Sequence, residues 1–171
     1  MDEVSKTLLA LNIVKMDRGK HAALLGEAHQ FIATGILMRL GFVEMVVSVR
    51  GGPYDLIVPA YENFDTYPEK ILLLRAQTRT MKDTLRFIAG TRAGVNRIYI
   101  SGVKTYKYSE KDNDLITGVD ERSLDLYLVP TRHIAKWGNS KSKTKLQSYK
   151  NNWDILLHWN NTFLEKLENV A

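Results

Sequence analysis

A chain of 171 residues has the length of one domain, and we expect a single domain over residues 1–171. The absence of cysteine excludes disulfides and thiolate metal sites, whereas carboxylate and histidine ligands remain possible. No segment approaches the ~20 consecutive apolar residues of a membrane span, and residues 1–5 lack the basic start of a signal peptide. The net charge of +5 suits an acidic partner. We therefore expect a soluble, cytoplasmic protein without a membrane partner.

The first half of the chain predicts helices followed by strands. Helical spacing of apolar residues predicts helices over residues 3–14 and 20–40, and Gly41 is a typical C-terminal stop for the second. The β-branched segment 42–49, a turn at 50–53 and a strand at 55–59 indicate a hairpin. A long strand is predicted over residues 70–80. A short helix is then predicted over residues 83–90.

The second half of the chain predicts further strands and a terminal helix. A strand at 97–103 is followed by a polar connection at 104–113 and by a hairpin of strands 114–119 and 123–129. Pro130 closes this sheet. The core covers about residues 20–130, and a basic loop at 131–151 precedes an amphipathic helix at 152–168. Its aromatic face belongs to the core or to a partner interface.

The segment from residue 126 to 153 contains no Asp or Glu and carries six positive charges. Polyphosphates complement such a segment, since each neutralised phosphate releases counterions. Trp137, Gln147 and Tyr149 lie between the lysines and are able to stack on or hydrogen-bond with nucleic acid, although aromatic residues in such positions more often pack internally. The alternative is a solvated loop with no partner. The candidate nucleic-acid contacts are Arg132, Lys136, Lys141, Lys143, Lys145 and Lys150.

A second set of polar residues lies at the start and end of two predicted strands. Asp55 follows Pro53 and begins one strand, and Gln77 and Arg79 lie two positions apart near the end of another. Alternate residues of a strand share a face, so both side chains can point at whatever Asp55 holds. Arg75 lies on the same strand face and extends the row of cations.

This layout resembles the PD-(D/E)xK nuclease superfamily, near archaeal Holliday junction resolvases and intron-type homing endonucleases. Glu27 on the early helix, the turn around Gly41 and Thr80 after Arg79 add to the resemblance, as does the strand at 123–130. It implies an α/β fold, with a restriction-endonuclease-like mixed central β-sheet flanked by α-helices. It also implies a Mg²⁺-dependent or Mn²⁺-dependent deoxyribonuclease that acts on duplex or branched DNA as a homodimer.

The resemblance assigns roles to the candidate residues. Asp55 and Gln77 would be metal ligands, Glu27 would order the attacking water, and Arg79 stands where the superfamily has lysine. Gln77 replaces a Glu of many relatives, which removes a charge and should weaken the metal site. A guanidinium stays protonated, so Arg79 cannot act as a base but can bind a phosphate oxygen.

Alternatives remain open for each feature. Glu27 is equally well a helix-surface carboxylate, and the arginines of the strand a solvent-facing end. The protein either cleaves DNA with Arg79 as an electrophilic stabiliser or only binds nucleic acid with a degenerate site. A more remote class is a scaffold that kept the fold and binds an acidic partner through its basic segment.

Overall fold

The structure is a computed structural model that describes residues 12, 14–43, 46–47, 53–90 and 105–170. The helices are α1 (Arg18–Arg39), α2 (Thr131–Ile134), α3 (Asp154–Leu157) and α4 (Asn161–Val170), and Lys143–Tyr149 is a 3₁₀ helix. The strands are β1 (Val46–Val47), β2 (Leu56–Tyr61), β3 (Ile71–Met81), β4 (Thr84–Arg86), β5 (Ile88–Gly90), β6 (Thr105–Lys107), β7 (Leu115–Asp120), β8 (Leu126–Pro130) and β9 (Ser140–Ser142). Within these ranges, no helix is long and apolar enough to cross a bilayer.

The central sheet has the strand order β1-β2-β3-β7-β8. β3, its longest strand, pairs antiparallel with β2 on one side and parallel with β7 on the other. The other pairs, β1 with β2 and β7 with β8, are antiparallel. Helices pack against this mixed sheet, which confirms the predicted α/β fold class. Two small antiparallel sheets, β4-β9 and β5-β6, accompany it.

The helix α1 is stabilised by a cap at its N-terminus, a glycine after its C-terminus and apolar residues that pack on the sheet. The Asp17 carboxylate accepts hydrogen bonds from the N–H groups of Gly19 and Lys20, at 2.9 and 3.1 Å. Gly41 ends the helix with a φ of +92°, a left-handed conformation that favours glycine. Between the caps, Ala33 and Leu37 recur at helical spacing, are fully buried and belong to the apolar core of the sheet. The predicted helix at 20–40 is confirmed, with a start two residues earlier.

The hairpin of β7 and β8 is also confirmed. Asp120 closes its turn, since Oδ1 accepts the N–H groups of Arg122 and Ser123, at 2.9 and 3.1 Å. Leu124 completes the turn with a φ of +60°. Every residue of β7 is buried, as expected for a strand that is covered on both faces of a sheet.

Gly118 of β7 leaves room for a neighbouring side chain. A Cβ at this position would lie 3.0 and 3.2 Å from the two methyl carbons of Leu85, which is fully buried. We therefore expect Gly118→Ala to lower the free energy of unfolding by about 1–2 kcal/mol, because the packed leucine must move. Urea unfolding measures the change. Gly138→Ala is the control, since no atom lies within 4 Å of its added Cβ, and equal stability losses in both variants would contradict this account.

The short helix predicted over residues 83–90 is wrong, because the segment forms β4 and β5. Leu85 and Phe87 are fully buried, whereas Thr84 and Arg86 between and beside them are exposed. This is the two-residue period of a strand rather than the helical one. The polar connection predicted at 104–113 likewise contains β6, and Tyr108 and Asn113 within it are buried.

The segment predicted as a basic loop, 131–151, folds into α2, β9 and the 3₁₀ helix. Leu146 and Tyr149 anchor it because both are fully buried, and β9 pairs with β4. The Tyr149 hydroxyl lies 2.9 Å from Nδ1 of the buried His133. Burial lowers the pKa of His133, so the ring is neutral at neutral pH.

The terminal helix predicted at 152–168 is interrupted between α3 and α4. At the break, the Trp159 N–H donates to the Tyr61 carbonyl at 2.7 Å, and the Asn160 amide donates to the Glu62 carbonyl at 2.8 Å. The Asn160 Oδ1 also accepts the N–H of Phe163 at 3.0 Å, which caps α4. Contacts with the end of β2 therefore replace one turn of helix.

Other predicted elements fall partly or wholly outside the described residues. The helix predicted at 3–14 and the strand at 97–103 lie there almost entirely. Of the predicted strand at 42–49, β1 is described and pairs with β2, as the expected hairpin requires.

Candidate active site

Asp55 and Gln77 meet where β2 begins beside β3. The antiparallel register joins Leu56 to Ala76, and the Asp55 N–H donates to the Ala76 carbonyl at 2.8 Å. The Asp55 Oδ2 accepts the N–H of Thr78 at 2.9 Å and a hydrogen bond from Nε2 of Gln77. The structure thus brings together the acidic residue and the amide that the sequence placed on adjacent strands.

The protonation equilibrium of Asp55 reflects its burial. Burial raises the pKa of this carboxyl above its usual value, because the charged form loses water. The Thr78 N–H, the Gln30 and Gln77 side chains and the charge of Arg79 act in the opposite direction, and burial prevails. A cation bound near this carboxyl would therefore stabilise its ionised form.

Arg79 lies on the same side of β3 as Gln77. Its side chain is held by Ile88 of β5 and by Tyr108, which follows β6. Its Nη2 donates to the Ile88 carbonyl at 3.3 Å and to the Tyr108 hydroxyl. The Cζ atom lies 5.1 Å from the centroid of the Tyr108 ring, within the range of a cation–π contact. Its Nε is buried and has no hydrogen-bond partner among the residues that the structure describes. Asp55, Gln77 and Arg79 therefore form one cluster, which we call the Asp55 site.

The Gln30 side chain of α1 hydrogen-bonds to the Asp55 carboxylate. Glu27, three residues earlier on α1, is exposed. The neighbouring His29 is buried, and its Nδ1 lies 2.7 Å from the Thr80 hydroxyl. Burial lowers the pKa of His29, so α1 is joined to β3 by a neutral ring. The sequence did carry a signal for Gln30, because this polar residue lies beside the residues of α1 that are buried against the sheet.

Arg75 is engaged in an internal network. Its guanidinium binds the Asp114 carboxylate through Nε and Nη2, at 3.0 and 2.8 Å. It also donates to the carbonyls of Glu110 and Lys111, at 2.7 and 2.9 Å. A bidentate pair with two further bonds fixes the start of β7 against β3 and leaves this arginine few donors for phosphate.

Most basic residues of the 131–151 segment have partners within the protein. Arg132 donates to the Asn161 amide oxygen at 2.7 Å, Lys136 pairs with Glu168 at 3.0 Å, Lys150 pairs with Asp125 at 2.8 Å, and Lys143 pairs with Asp120. The Lys141 ammonium lies 3.6 Å from the centroid of the Trp137 indole. Lys145 is exposed. Exposed ion pairs are weak, so their cations exchange readily to phosphate. The pair of Lys143 with Asp120 differs, because the Asp120 side chain is fully buried.

The donor set of the Asp55 site suits a hard divalent cation held by few charges. Among the described residues, no group of three or more His, Asp or Glu side chains is placed to bind a metal. The Asp55 carboxylate with the amide oxygens of Gln77 and Gln30 nevertheless offers three oxygen donors, and Mg²⁺ commonly uses one or two carboxylates plus water and phosphate. Both amides donate to Asp55 here and would have to turn to present their oxygens.

Comparisons with known proteins agree with this architecture. No protein-family model and no curated protein matches the sequence. Among solved structures, the bacterial homing endonuclease I-Ssp6803I is similar, with 17% sequence identity and a TM-score of 0.54. The match covers 80% of this chain and 93% of that one. The chain therefore shares the fold of this homing endonuclease.

Proposed function

We propose that the protein is a DNA endonuclease that hydrolyses phosphodiester bonds with Mg²⁺ or Mn²⁺. The observation that carries the proposal is the Asp55 site, where a half-buried carboxylate, two amides and a guanidinium converge on the central strand of a homing-endonuclease fold. A carboxyl whose pKa is perturbed, as that of Asp55 is, is typical of functional sites. A purely structural sheet would have little reason to bring these groups together.

In this proposal each residue of the site has a distinct task. Asp55, Gln77 and Gln30 would hold the cation, and the bound ion would supply a Lewis acid and an activated water. Arg79 would bind an oxygen of the scissile phosphate and stabilise the negative charge that develops there. It would not remove a proton, because its guanidinium stays charged at any working pH. Glu27, exposed on α1, has no part in this proposal.

A second candidate function is binding of nucleic acid without cleavage. It is favoured by the arginine at position 79 and by the single carboxylate of the Asp55 site, since both weaken the chemistry of hydrolysis. The proposed DNA contacts, in either case, are the exposed or weakly paired cations Arg132, Lys136, Lys141, Lys145 and Lys150. Arg75 and Lys143 are not included, since Arg75 binds Asp114 and two backbone carbonyls and Lys143 pairs with the fully buried Asp120. A homodimer would place two such sites on two DNA strands.

Incubation with supercoiled plasmid and with a four-way DNA junction, in Mg²⁺ or in Mn²⁺, distinguishes the two functions. We expect nicked or linear plasmid, or a resolved junction, with the wild-type protein and none with Asp55→Ala. Salt-sensitive binding without cleavage in either metal would support the second function. Absence of both binding and cleavage would contradict both.

A further inference from the structure

Arg79 reaches its position in the Asp55 site through a contact that lies far away in sequence. An arginine side chain has several rotatable bonds, so it adopts one orientation only where neighbours restrain it. In β3, Arg79 lies near the end of the strand and its side chain extends towards the β5–β6 sheet. Its restraint therefore comes from the residues of that sheet.

Tyr108 supplies two of these restraints. Its hydroxyl accepts a hydrogen bond from Nη2 of Arg79, and its ring faces Cζ at 5.1 Å. The ring itself is fixed, because Tyr108 is only 4% exposed and its N–H donates to the Phe87 carbonyl at 2.9 Å. Tyr106 packs edge-on at 5.8 Å between ring centroids. A rigid aromatic residue thus defines where the guanidinium lies.

The chemical state of Tyr108 suits this task. Burial raises its pKa to about 12, against the influence of Arg79, so the phenol is neutral at any working pH. A neutral hydroxyl leaves the charge of Arg79 uncompensated. That charge acts on Asp55, for which Arg79 is one of the groups that lower the pKa.

We propose that Tyr108 is a positioning residue, which holds the guanidinium of Arg79 beside Asp55 so that it can bind the phosphate of a DNA substrate. The inference about catalysis rests on the proposed nuclease function. The part about geometry does not, because the orientation of Arg79 is measurable without any substrate. An arginine, unlike a lysine, needs such a partner, since its planar group must be aimed as well as placed.

The first arm of the test measures the accessibility of Arg79. Phenylglyoxal modifies arginine side chains, and mass spectrometry of the proteolysed protein reports its rate at each position. We expect Arg79 to react slowly in the wild type and about tenfold faster in Tyr108→Phe, which keeps the ring but lacks the hydroxyl. Tyr106→Phe is the matched control. This neighbouring tyrosine is 42% exposed, and the variant keeps the ring that packs on Tyr108, so loss of the hydroxyl should leave the Arg79 rate unchanged.

The second arm measures single-turnover cleavage of plasmid DNA together with DNA affinity. For Tyr108→Phe we expect a cleavage rate about tenfold lower at saturating DNA, with the dissociation constant nearly unchanged. A merely structural role would move the unfolding midpoint and both kinetic quantities together. Unchanged Arg79 reactivity in Tyr108→Phe would overturn the inference, as would an unchanged cleavage rate in an active protein.

The two arms separate the inference from the proposed function. Faster modification of Arg79 in Tyr108→Phe, in a protein that does not cleave DNA, would support the geometric part and contradict the nuclease proposal. Cleavage by both proteins at equal rates would support the nuclease proposal and overturn the role of Tyr108.

Discussion

Lys143→Met is expected to lower the free energy of unfolding by about 3 kcal/mol, because it removes the partner of a buried carboxylate. The Asp120 side chain is 0% exposed and that of Lys143 is 34% exposed, so loss of the lysine leaves an uncompensated charge inside the protein. Urea unfolding at neutral pH measures the loss. Lys145→Met, two residues further on at an exposed position, should change stability by no more than about 0.5 kcal/mol.

The same pair predicts a pH dependence. Burial alone would raise the pKa of Asp120, but the ion pair with Lys143 and the N–H groups of Arg122 and Ser123 outweigh it and lower the pKa. A carboxyl with a lowered folded-state pKa stabilises the fold above its unfolded value of about 4, and this contribution disappears as the pH falls further. The difference between wild type and Lys143→Met should therefore shrink below about pH 4. A constant difference from pH 7 to pH 3 would contradict the ion-pair explanation.

Asp55→Asn is expected to reduce DNA cleavage at least ~100-fold while leaving the fold intact. Asparagine keeps the size of the side chain and an oxygen that can accept the Thr78 N–H, but it lacks the charge that a cation requires. Single-turnover cleavage of plasmid DNA measures the loss. Glu165→Gln is a suitable control, since it likewise converts a carboxylate to an amide, at an exposed position of α4 outside the Asp55 site and the basic segment.

Asp55→Asn should lower DNA cleavage without lowering the stability of the fold. Burial raises the folded-state pKa of Asp55, so the folded state binds its proton more tightly than the unfolded state does. Ionisation of Asp55 therefore lowers the stability of the wild type as the pH rises from about 4 through the folded-state pKa. The variant has no such penalty, and at pH 7 it should be at least as stable as the wild type. A large loss of stability would indicate that the carboxylate is structural.

The sequence was sufficient where short-range patterns decide the structure. Gly41 marks the C-terminal end of α1, and the turn between the predicted strands 114–119 and 123–129 defines the β7–β8 hairpin. The two-residue period of β3 likewise placed Gln77 and Arg79 on one face. These features depend on neighbours within a few residues, which the sequence displays directly.

It was insufficient where distant residues decide. The acid-free segment was expected to present its cations to nucleic acid or to solvent, yet Asp120, Asp125 and Glu168, which lie outside it in the sequence, pair with three of its lysines. The packing of α1 on the sheet brings Gln30 to the Asp55 carboxylate, and no short-range pattern in the sequence displays that packing. Tyr108, 29 residues after Arg79, had no sequence signal that linked it to the site.

The central claim is that the Asp55 site cleaves DNA with a divalent cation. Its most direct test is the initial rate of plasmid nicking across a range of Mg²⁺ concentrations, with wild type and Asp55→Asn purified in parallel. We expect a rate that rises to saturation with Mg²⁺ for the wild type and no measurable rate for the variant. Equal nicking by both proteins, or none by the wild type at any Mg²⁺ or Mn²⁺ concentration, would contradict the claim.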